Sequence, residues 1–283
     1  MLKRQTTGSV VCPNCGRLVG VLDEECFNCG RANPGMWGYA PWLNKLGSDL
    51  GFTQIILVGC ITLYVVTLLV DLDGMRSGGL LSLFSPSGKA LAMFGMSGTV
   101  PVLGWGRWWT VLSAAWLHGG LLHIFFNMMW IRQLAPAAAE LYGVGRLVII
   151  YTASAICGFG LTTLTGLLAV LPGFPNALVG AAYTVGASAP LFGLFGAIHY
   201  YGRRTGNSRA SQYGVQFLVI WVVIGFMVPI IDNWAHIGGF AGGYLAARWL
   251  DPLKSEQPQH LLIALICLAL HALSIVASVL HSL

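Results

Sequence analysis

The stretch Thr184-Val185-Gly186-Ala187-Ser188-Ala189-Pro190-Leu191-Phe192-Gly193-Leu194-Phe195-Gly196-Ala197 is apolar and glycine-rich, and it sets one serine hydroxyl at the mouth of what reads as a membrane helix. Serine is a favoured N-cap and proline suits a first helical turn, so capping is one reading of Ser188. A distant stretch, Asn233-Trp234-Ala235-His236-Ile237-Gly238-Gly239-Phe240-Ala241-Gly242-Gly243, opens another span with a histidine. A hydroxyl and an imidazole at membrane depth are two of the three parts of a nucleophilic hydrolase.

The rest of the composition fits a bilayer. Of 283 residues, 56% are hydrophobic and 9% charged, and mean hydropathy is +0.72, far from soluble globular domains. The pattern predicts an all-α polytopic membrane protein with seven spans: Phe52 to Val70, about Leu117 to Leu134, Arg146 to Leu171, Gly186 to Tyr201, Gly214 to Ile231, Trp234 to Leu250 and Leu261 to Leu283. The interrupted segment from Asp71 to about Trp116 carries Trp105, Trp108, Trp109 and Trp116 and reads as a structured loop partly in the outer leaflet. The net charge of +5 is spread over many loops without a basic block, so no nucleic-acid partner is expected. No h-region opens the chain, so the first span is expected to direct insertion.

Four of the seven cysteines stand in the first thirty residues, as Cys12-Pro13-Asn14-Cys15 and, ten residues on, Cys26-Phe27-Asn28-Cys29. Two such knuckles can set four thiolates around one tetrahedral Zn²⁺, and a segment this short has little core to fold it otherwise. Two disulfides would need an oxidising compartment. Cys60, Cys157 and Cys267 lie singly in apolar runs and read as small core residues. The organisation is therefore a cytosolic zinc ribbon over 1–34, a linker or interfacial segment over 35–51, a membrane domain over 52–250 and an additional C-terminal transmembrane helix over 251–283. Ribbon and membrane domain share no apolar periodicity, so truncation before Phe52 is expected to leave the latter folded. A cytosolic partner, or control of access, is the expected use of the ribbon.

Cations set the sidedness. With the N-terminus in the cytosol, Lys3, Arg4, Arg17, Arg31 and Lys45 share that side with Arg132, Arg146, Arg203, Arg204, Arg209, Arg248 and Lys254. The connections from Pro172 to Thr184 and from Ile230 to Asn233 carry no Lys or Arg, which is the positive-inside pattern. Arg76, Lys89 and Arg107 in the long first loop depart from it. The second, fourth and sixth spans then all begin on the non-cytosolic side, with His118 and His123, with Ser188, and with His236. Residues of purely structural use have no reason to share a depth, so the convergence favours a site.

Spacing supports it. His123 and Asn127 are four apart and share a helical face. His236, Gly239 and Gly243 share another, and Ala189, Gly193 and Ala197 a third; small residues at this spacing let two backbones approach closely.

Together, HxxxN (His123, Asn127), GxSx (Gly186, Ala187, Ser188) and AHxGG with HxxGxxxG (His236, Gly239, Gly243) resemble the rhomboid intramembrane serine proteases, over about Phe52 to Leu250. The resemblance implies a rhomboid-like six-helix bundle, here with a seventh helix, and a Ser188–His236 dyad that cuts the transmembrane helix of a protein substrate within the lipid bilayer. Ser188 is then the nucleophile and His236 the general base and acid, and no cofactor serves the chemistry. The Ser188 backbone N–H, His123 and Asn127 form the oxyanion hole, with His118 in a hydrated cavity beside it; a tetrahedral oxyanion needs such donors. The family usually has Gly after the serine, here Ala189, whose methyl group could crowd the hole. Pro190 and the pair Trp109-Thr110, where many members have Trp-Arg, also depart from the pattern, while Phe192 offers aromatic support to the imidazole.

The setting expected is a bacterial cytoplasmic membrane, with the active site toward the non-cytosolic side. The alternative reading is a catalytically inactive rhomboid-like protein that binds and escorts transmembrane segments, although such a binder needs none of the four polar residues. A transporter would want internal repeats and mid-membrane ionisable groups, which the sequence lacks.

Overall fold

The computed structural model describes residues 4–40, 49–76, 79, 82–228 and 230–283; Lys3 and the linker positions Pro41, Lys45 and Gly47 lie outside the described residues. Among the described residues, seven helices of 18 residues or more overlap the seven expected spans, the fifth lying at Ser208–Met227 rather than Gly214 to Ile231 because Asn207 caps it early. They are α1 (Phe52–Val70), α4 (Leu121–Tyr142), α5 (Val144–Gly166), α6 (Ser188–Thr205), α7 (Ser208–Met227), α8 (Asn233–Leu250) and α9 (Pro258–Ser282). The chain is a multi-pass helical membrane protein of the expected class.

Between α1 and α4 the tryptophan-rich loop is structured, as expected. It holds α2 (Gly88–Phe94), a π turn (Val100–Gly104) and α3 (Thr110–Ser113), which continues as a 3₁₀ turn through Trp116. The Ala90 N–H donates to the Ser87 Oγ at 3.0 Å to start α2, and Gly95, with φ +97°, ends it. The second span differs from its expected bounds. It begins at Leu121 rather than Leu117, because Gly120 is extended, and it runs through Pro136 to Tyr142 rather than stopping at Leu134. His118 therefore sits in the turn before the helix.

Composition alone makes α1, α5, α7 and α9 capable of crossing a membrane, and α3 with α4, bent by 92°, adds a fifth candidate. Helices α6 and α8 fall short because they meet protein rather than lipid. Helix α6 is buried from Ala189 to Ile198, and α8 packs along both α5 and α6. A helix in the middle of a bundle need not be apolar on every side.

Glycines set how close these helices lie. A Cβ on Gly239 would overlap the Ala189 carbonyl, and one on Gly243 the Gly193 carbonyl, so α8 and α6 meet backbone to backbone. Gly238 and Gly242, on the adjacent stripe of α8, meet Cys157 and Gly158 of α5 in the same way.

The ribbon pairs β1 (Ser9–Val11) with β2 (Leu18–Gly20) antiparallel, Val10 opposite Val19. It does have a small core, in which Val10, Val19, Val21, Met36 and Ala40 surround Cys12 and Cys26. The ribbon is joined to the membrane domain by polar groups, which apolar periodicity does not register. Arg31 Nη1 pairs with Glu256 Oε2 at 3.3 Å with both side chains buried, and the Ser255 hydroxyl donates to the Cys29 carbonyl at 2.5 Å. Glu256 also accepts the Arg146 N–H at 3.2 Å. The buried Arg146 guanidinium in turn donates to the carbonyls of Leu250, Asp251 and Lys254, each within 2.9 Å, and to that of Tyr142.

This junction has a measurable consequence. Arg31→Ala leaves Glu256 buried without that charge partner and should destabilise the purified protein by about 3 kcal/mol in thermal or denaturant unfolding. Adding Glu256→Gln should recover part of the loss, and equal losses with and without the second change would show that the unpaired Glu256 carboxylate carries no cost.

Candidate active site

Ser188 is the first residue of α6, and its N-cap is Ala187, with no side-chain capping bond. The capping reading is therefore not what the structure uses the hydroxyl for. At this position the N–H groups of Ser188 and Ala189 have no intrahelical partner, and the helix start is electropositive. Pro190, within the same turn, forfeits a donor that the helix would leave unused anyway.

The segment before the serine is held on two sides. Ser97 and Thr184 exchange backbone hydrogen bonds at 3.0 and 2.8 Å, and the Gly186 N–H donates to the Ala114 carbonyl at 2.9 Å. Gly186 has φ +141°, and a Cβ there would lie 2.7 Å from His123 Nε2 and 3.2 Å from Ser188 Oγ. A side chain at 186 would thus fill the hollow that the serine hydroxyl and the His123 ring share.

His123 has a defined tautomer. The Gly119 N–H donates to its Nδ1 at 3.3 Å, so the neutral ring carries its proton on Nε2, the nitrogen facing Gly186. Asn127, one turn on, gives one of its two amide hydrogens to the His123 carbonyl at 2.8 Å and keeps the other, while its Oδ1 is buried without a partner. His118 is fully buried with both ring nitrogens unpartnered, and its ring centroid lies 5.2 Å from that of His123.

His236, in the first turn of α8, is buried and stacks on Phe192 with centroids 4.0 Å apart and planes inclined by 14°. Its Nδ1 is buried and unpartnered, so no carboxylate orients the ring. Asp232 is occupied elsewhere. Its Oδ1 accepts the Ala235 N–H at 3.0 Å, capping α8, and the Thr162 hydroxyl at 2.9 Å. The Ala189 methyl group points into the packing between α6 and α5, where a Cβ on Gly158 would come within 2.8 Å of it. That direction takes it into the helix interface, not into the hollow over Gly186.

Sequence reading named Ser188, His123, Asn127, His118, Gly186 and His236, and the fold brings them to one end of the bundle. It missed Gly119, which sets the His123 tautomer, the Ala114 carbonyl, and Gly158, which receives the Ala189 methyl. A stripe of small residues on the third span, Ser154, Gly158 and Thr162, was the available signal for the last. The first two are backbone groups and leave no trace in residue type.

In the ribbon, the four cysteine sulfurs lie within 4.8 Å of one another, with Cys12 to Cys29 at 3.8 Å and Cys15 to Cys26 at 3.6 Å. The two knuckles repeat one turn: the Gly16 and Gly30 N–H groups donate to the Cys12 and Cys26 carbonyls, both at 2.9 Å. Tetrahedral thiolate coordination at about 2.3 Å needs sulfurs about 3.8 Å apart, which this set matches. Burial pushes the Cys12 thiol up to about 12, while the Arg17 N–H draws Cys15 down to about 6. A dication in their midst would favour the thiolate at all four.

Among known proteins, the chain is 33% identical over 171 residues to "Rhomboid protease GluP" of Bacillus subtilis, covering 58% of this chain and 31% of that one. It is 30% identical over 143 residues to "Putative rhomboid protease YdcA" of the same organism, covering 50% of this chain and 66% of that one. It is also 31% identical over 160 residues to "Inactive RHOMBOID-like protein 8" of Arabidopsis thaliana, covering 54% of this chain and 42% of that one. The chain thus spans about a third to two thirds of the length of these relatives. The Rhomboid domain family matches residues 105–251, more than half of the chain, from the loop tryptophans through the serine helix to the end of the histidine helix, and the chain belongs to the rhomboid family.

Proposed function

We propose that the chain is an intramembrane serine protease that hydrolyses peptide bonds in or near the transmembrane helices of membrane-protein substrates. The observation that carries this reading is the hollow over Gly186, flanked by a serine hydroxyl free of capping duty and by the protonated Nε2 of His123. His236 takes the Ser188 proton as Oγ attacks the scissile carbonyl carbon, and the oxyanion that forms meets the Ser188 N–H, His123 Nε2–H and the free Asn127 amide hydrogen. His236 then gives its proton to the leaving amine, and water hydrolyses the acyl-enzyme with His236 again as base. Phe192 orients the ring in place of an acid. His118 belongs to the cavity through which water arrives.

The inactive relative supports a second reading, a protein that binds and escorts transmembrane segments, because similarity over the membrane part is shared by members that do not cut. The direction of the Ala189 methyl group favours the first reading.

On the same proposal the four ribbon cysteines hold one structural Zn²⁺, and the exposed Phe27 and Leu18 of the ribbon face a cytosolic partner. The ribbon docks at the arginine-rich end of the bundle, where Arg204 lies 3.7 Å from Asp251, and the serine lies at the other. We place the ribbon in the cytosol of a bacterium and the active site toward the outer face, from the distribution of Arg and Lys.

Ser188→Ala and His236→Ala should each abolish cleavage of a model transmembrane substrate and fluorophosphonate labelling while leaving the protein folded. Asn127→Ala should slow cleavage by roughly tenfold to a thousandfold, as for one donor among several, and Asp232→Asn should change it little. Cleavage that survives Ser188→Ala would end the protease reading, and a folded wild type that never labels would favour the escort.

Metal analysis should find one equivalent of zinc, lost on replacing Cys12 and Cys15 by Ser; zinc retained by that variant would refute the ribbon assignment. Cysteines placed at Asn176 and Ser208 should label from opposite sides of the membrane, and labelling from one side would overturn the topology.

A further inference from the structure

Helix α9 has an inverted distribution of polarity. Its outward surface is formed by Leu262, Ile263, Leu265, Ile266, Leu270 and Leu273, whereas its buried positions are Ala264, His271, Ser274 and Ser278. A span that served only as an anchor would have no need of a buried imidazole, since an ionisable side chain inside a membrane is costly unless it has partners.

His271 has them on two other elements. Trp116 Nε1 donates to its Nδ1 at 3.0 Å, and its Nε2 lies 3.2 Å from the Thr152 hydroxyl of α5. An indole N–H can only donate, so Nδ1 is the acceptor, and the ring proton on Nε2 goes to Thr152. Thr152 passes its own hydrogen to the Val148 carbonyl at 2.9 Å. The Leu112 carbonyl also lies 3.1 Å from Nδ1; as two acceptors they make a contact and not a hydrogen bond, and the ring sits against the middle and the end of the segment from Thr110 to Trp116. On the far side, Gly59 of α1 leaves room for the edge of the Trp116 ring, which a Cβ would meet at 2.6 Å.

That segment carries the Ala114 carbonyl, which receives the Gly186 N–H two residues before Ser188, and it leads directly into the turn of His118 and Gly119. We propose that His271 is a positioning residue for the hydrolytic site: it fixes segment 110–116 from α9, and through Ala114 and Gly186 it sets the place of Ser188 relative to His123. The seventh helix is then part of the catalytic apparatus rather than an added anchor. This inference rests on the protease reading for its effect on rate, but not for its effect on structure.

The test uses the full chain in bilayers and two readouts. In His271→Ala, kcat for a transmembrane substrate should fall by about tenfold to a hundredfold with KM unchanged, as displacement of reacting groups costs. His271→Gln, whose amide can accept from Trp116 and donate to Thr152, should recover much of the rate. Trp116→Phe combined with His271→Ala should be no slower than the worse single variant, because both remove one bond. Independently of activity, hydrogen exchange at 112–116 and 184–187 should quicken by about tenfold or more in His271→Ala, with α8 unchanged. A kcat within twofold of wild type, or a loss confined to KM, would overturn the proposal for a protein that cuts. Unchanged exchange at 184–187 would overturn it even if the wild type does not cut. If exchange quickens but no version of the protein hydrolyses substrate, the positioning stands and the protease reading is what fails.

Discussion

The contact on which the site depends is the backbone contact between α6 and α8. Gly239 lies on the Ala189 carbonyl and Gly243 on the Gly193 carbonyl, one turn apart on both helices, so the two run side by side in the same direction without a side chain between them. In a bilayer, lipid tails are as apolar as leucine, and helices associate by close packing rather than by escape from water. A single methyl group on this seam would force the helices apart. The seam also sets height, because His236 stands three residues before Gly239 and Ser188 one residue before Ala189. The pairing of Gly239 with Ala189 therefore brings the imidazole and the hydroxyl to one level, and Phe192, a turn below Ser188, supplies the surface on which the ring lies.

The same physics explains the polarity of the whole bundle. Helices that face lipid, such as α1 and α7, are apolar and sparsely buried, while the central pair α6 and α8 interleaves glycine and alanine with aromatic and polar groups. Helix α9 shows both rules on one helix, with leucine and isoleucine outward and His271, Ser274 and Ser278 inward. Trp109 Nε1 donating to the Ser278 hydroxyl at 3.0 Å extends this inner row toward the tryptophan-rich loop. The row holds by hydrogen bonds what the bilayer offers little hydrophobic force to hold.

Much of this was legible in residue types. The four cysteines, the spans, the structured tryptophan loop, and the Gly239 and Gly243 stripe could all be read from spacing, because each is a local pattern repeated along one segment. What spacing does not carry is juxtaposition. The Arg31 to Glu256 pair joins residues 225 apart in sequence and involves no apolar periodicity, so the ribbon looked independent of the membrane domain. The acceptor role of His123 Nδ1 depends on a backbone N–H of Gly119, and any residue but proline could supply one. Ser188 was ambiguous for the opposite reason: serine followed by proline is a common helix start, and only the backbone at Ala187 shows that the helix begins one residue earlier than capping requires. The second span starts later than its apolar pattern because Gly120 is extended, and it ends later because Pro136 lies inside α4 rather than ending it.

Close packing sets the distance between α6 and α8 but does not by itself stop one helix from sliding along the other. A slip by one turn, about 5.4 Å, would put glycine against glycine again and carry His236 off Phe192. Both ends of α8 are tied against this. At the start, Asp232 caps the helix and holds the Thr162 hydroxyl of α5. At the other end, about 27 Å away along the helix, the Arg146 guanidinium binds the Leu250 and Asp251 carbonyls, terminal groups that a helix leaves without internal partners. Both tethers come from α5, so α5 acts as the frame that fixes the register of α8. The Arg146 N–H on Glu256, and Arg31 on the same carboxylate, attach the ribbon to that frame. An influence of the ribbon on the distant site then has two routes from this junction: the register of α8, through the carbonyls that Arg146 holds, and α9, which begins two residues after Glu256 and carries His271.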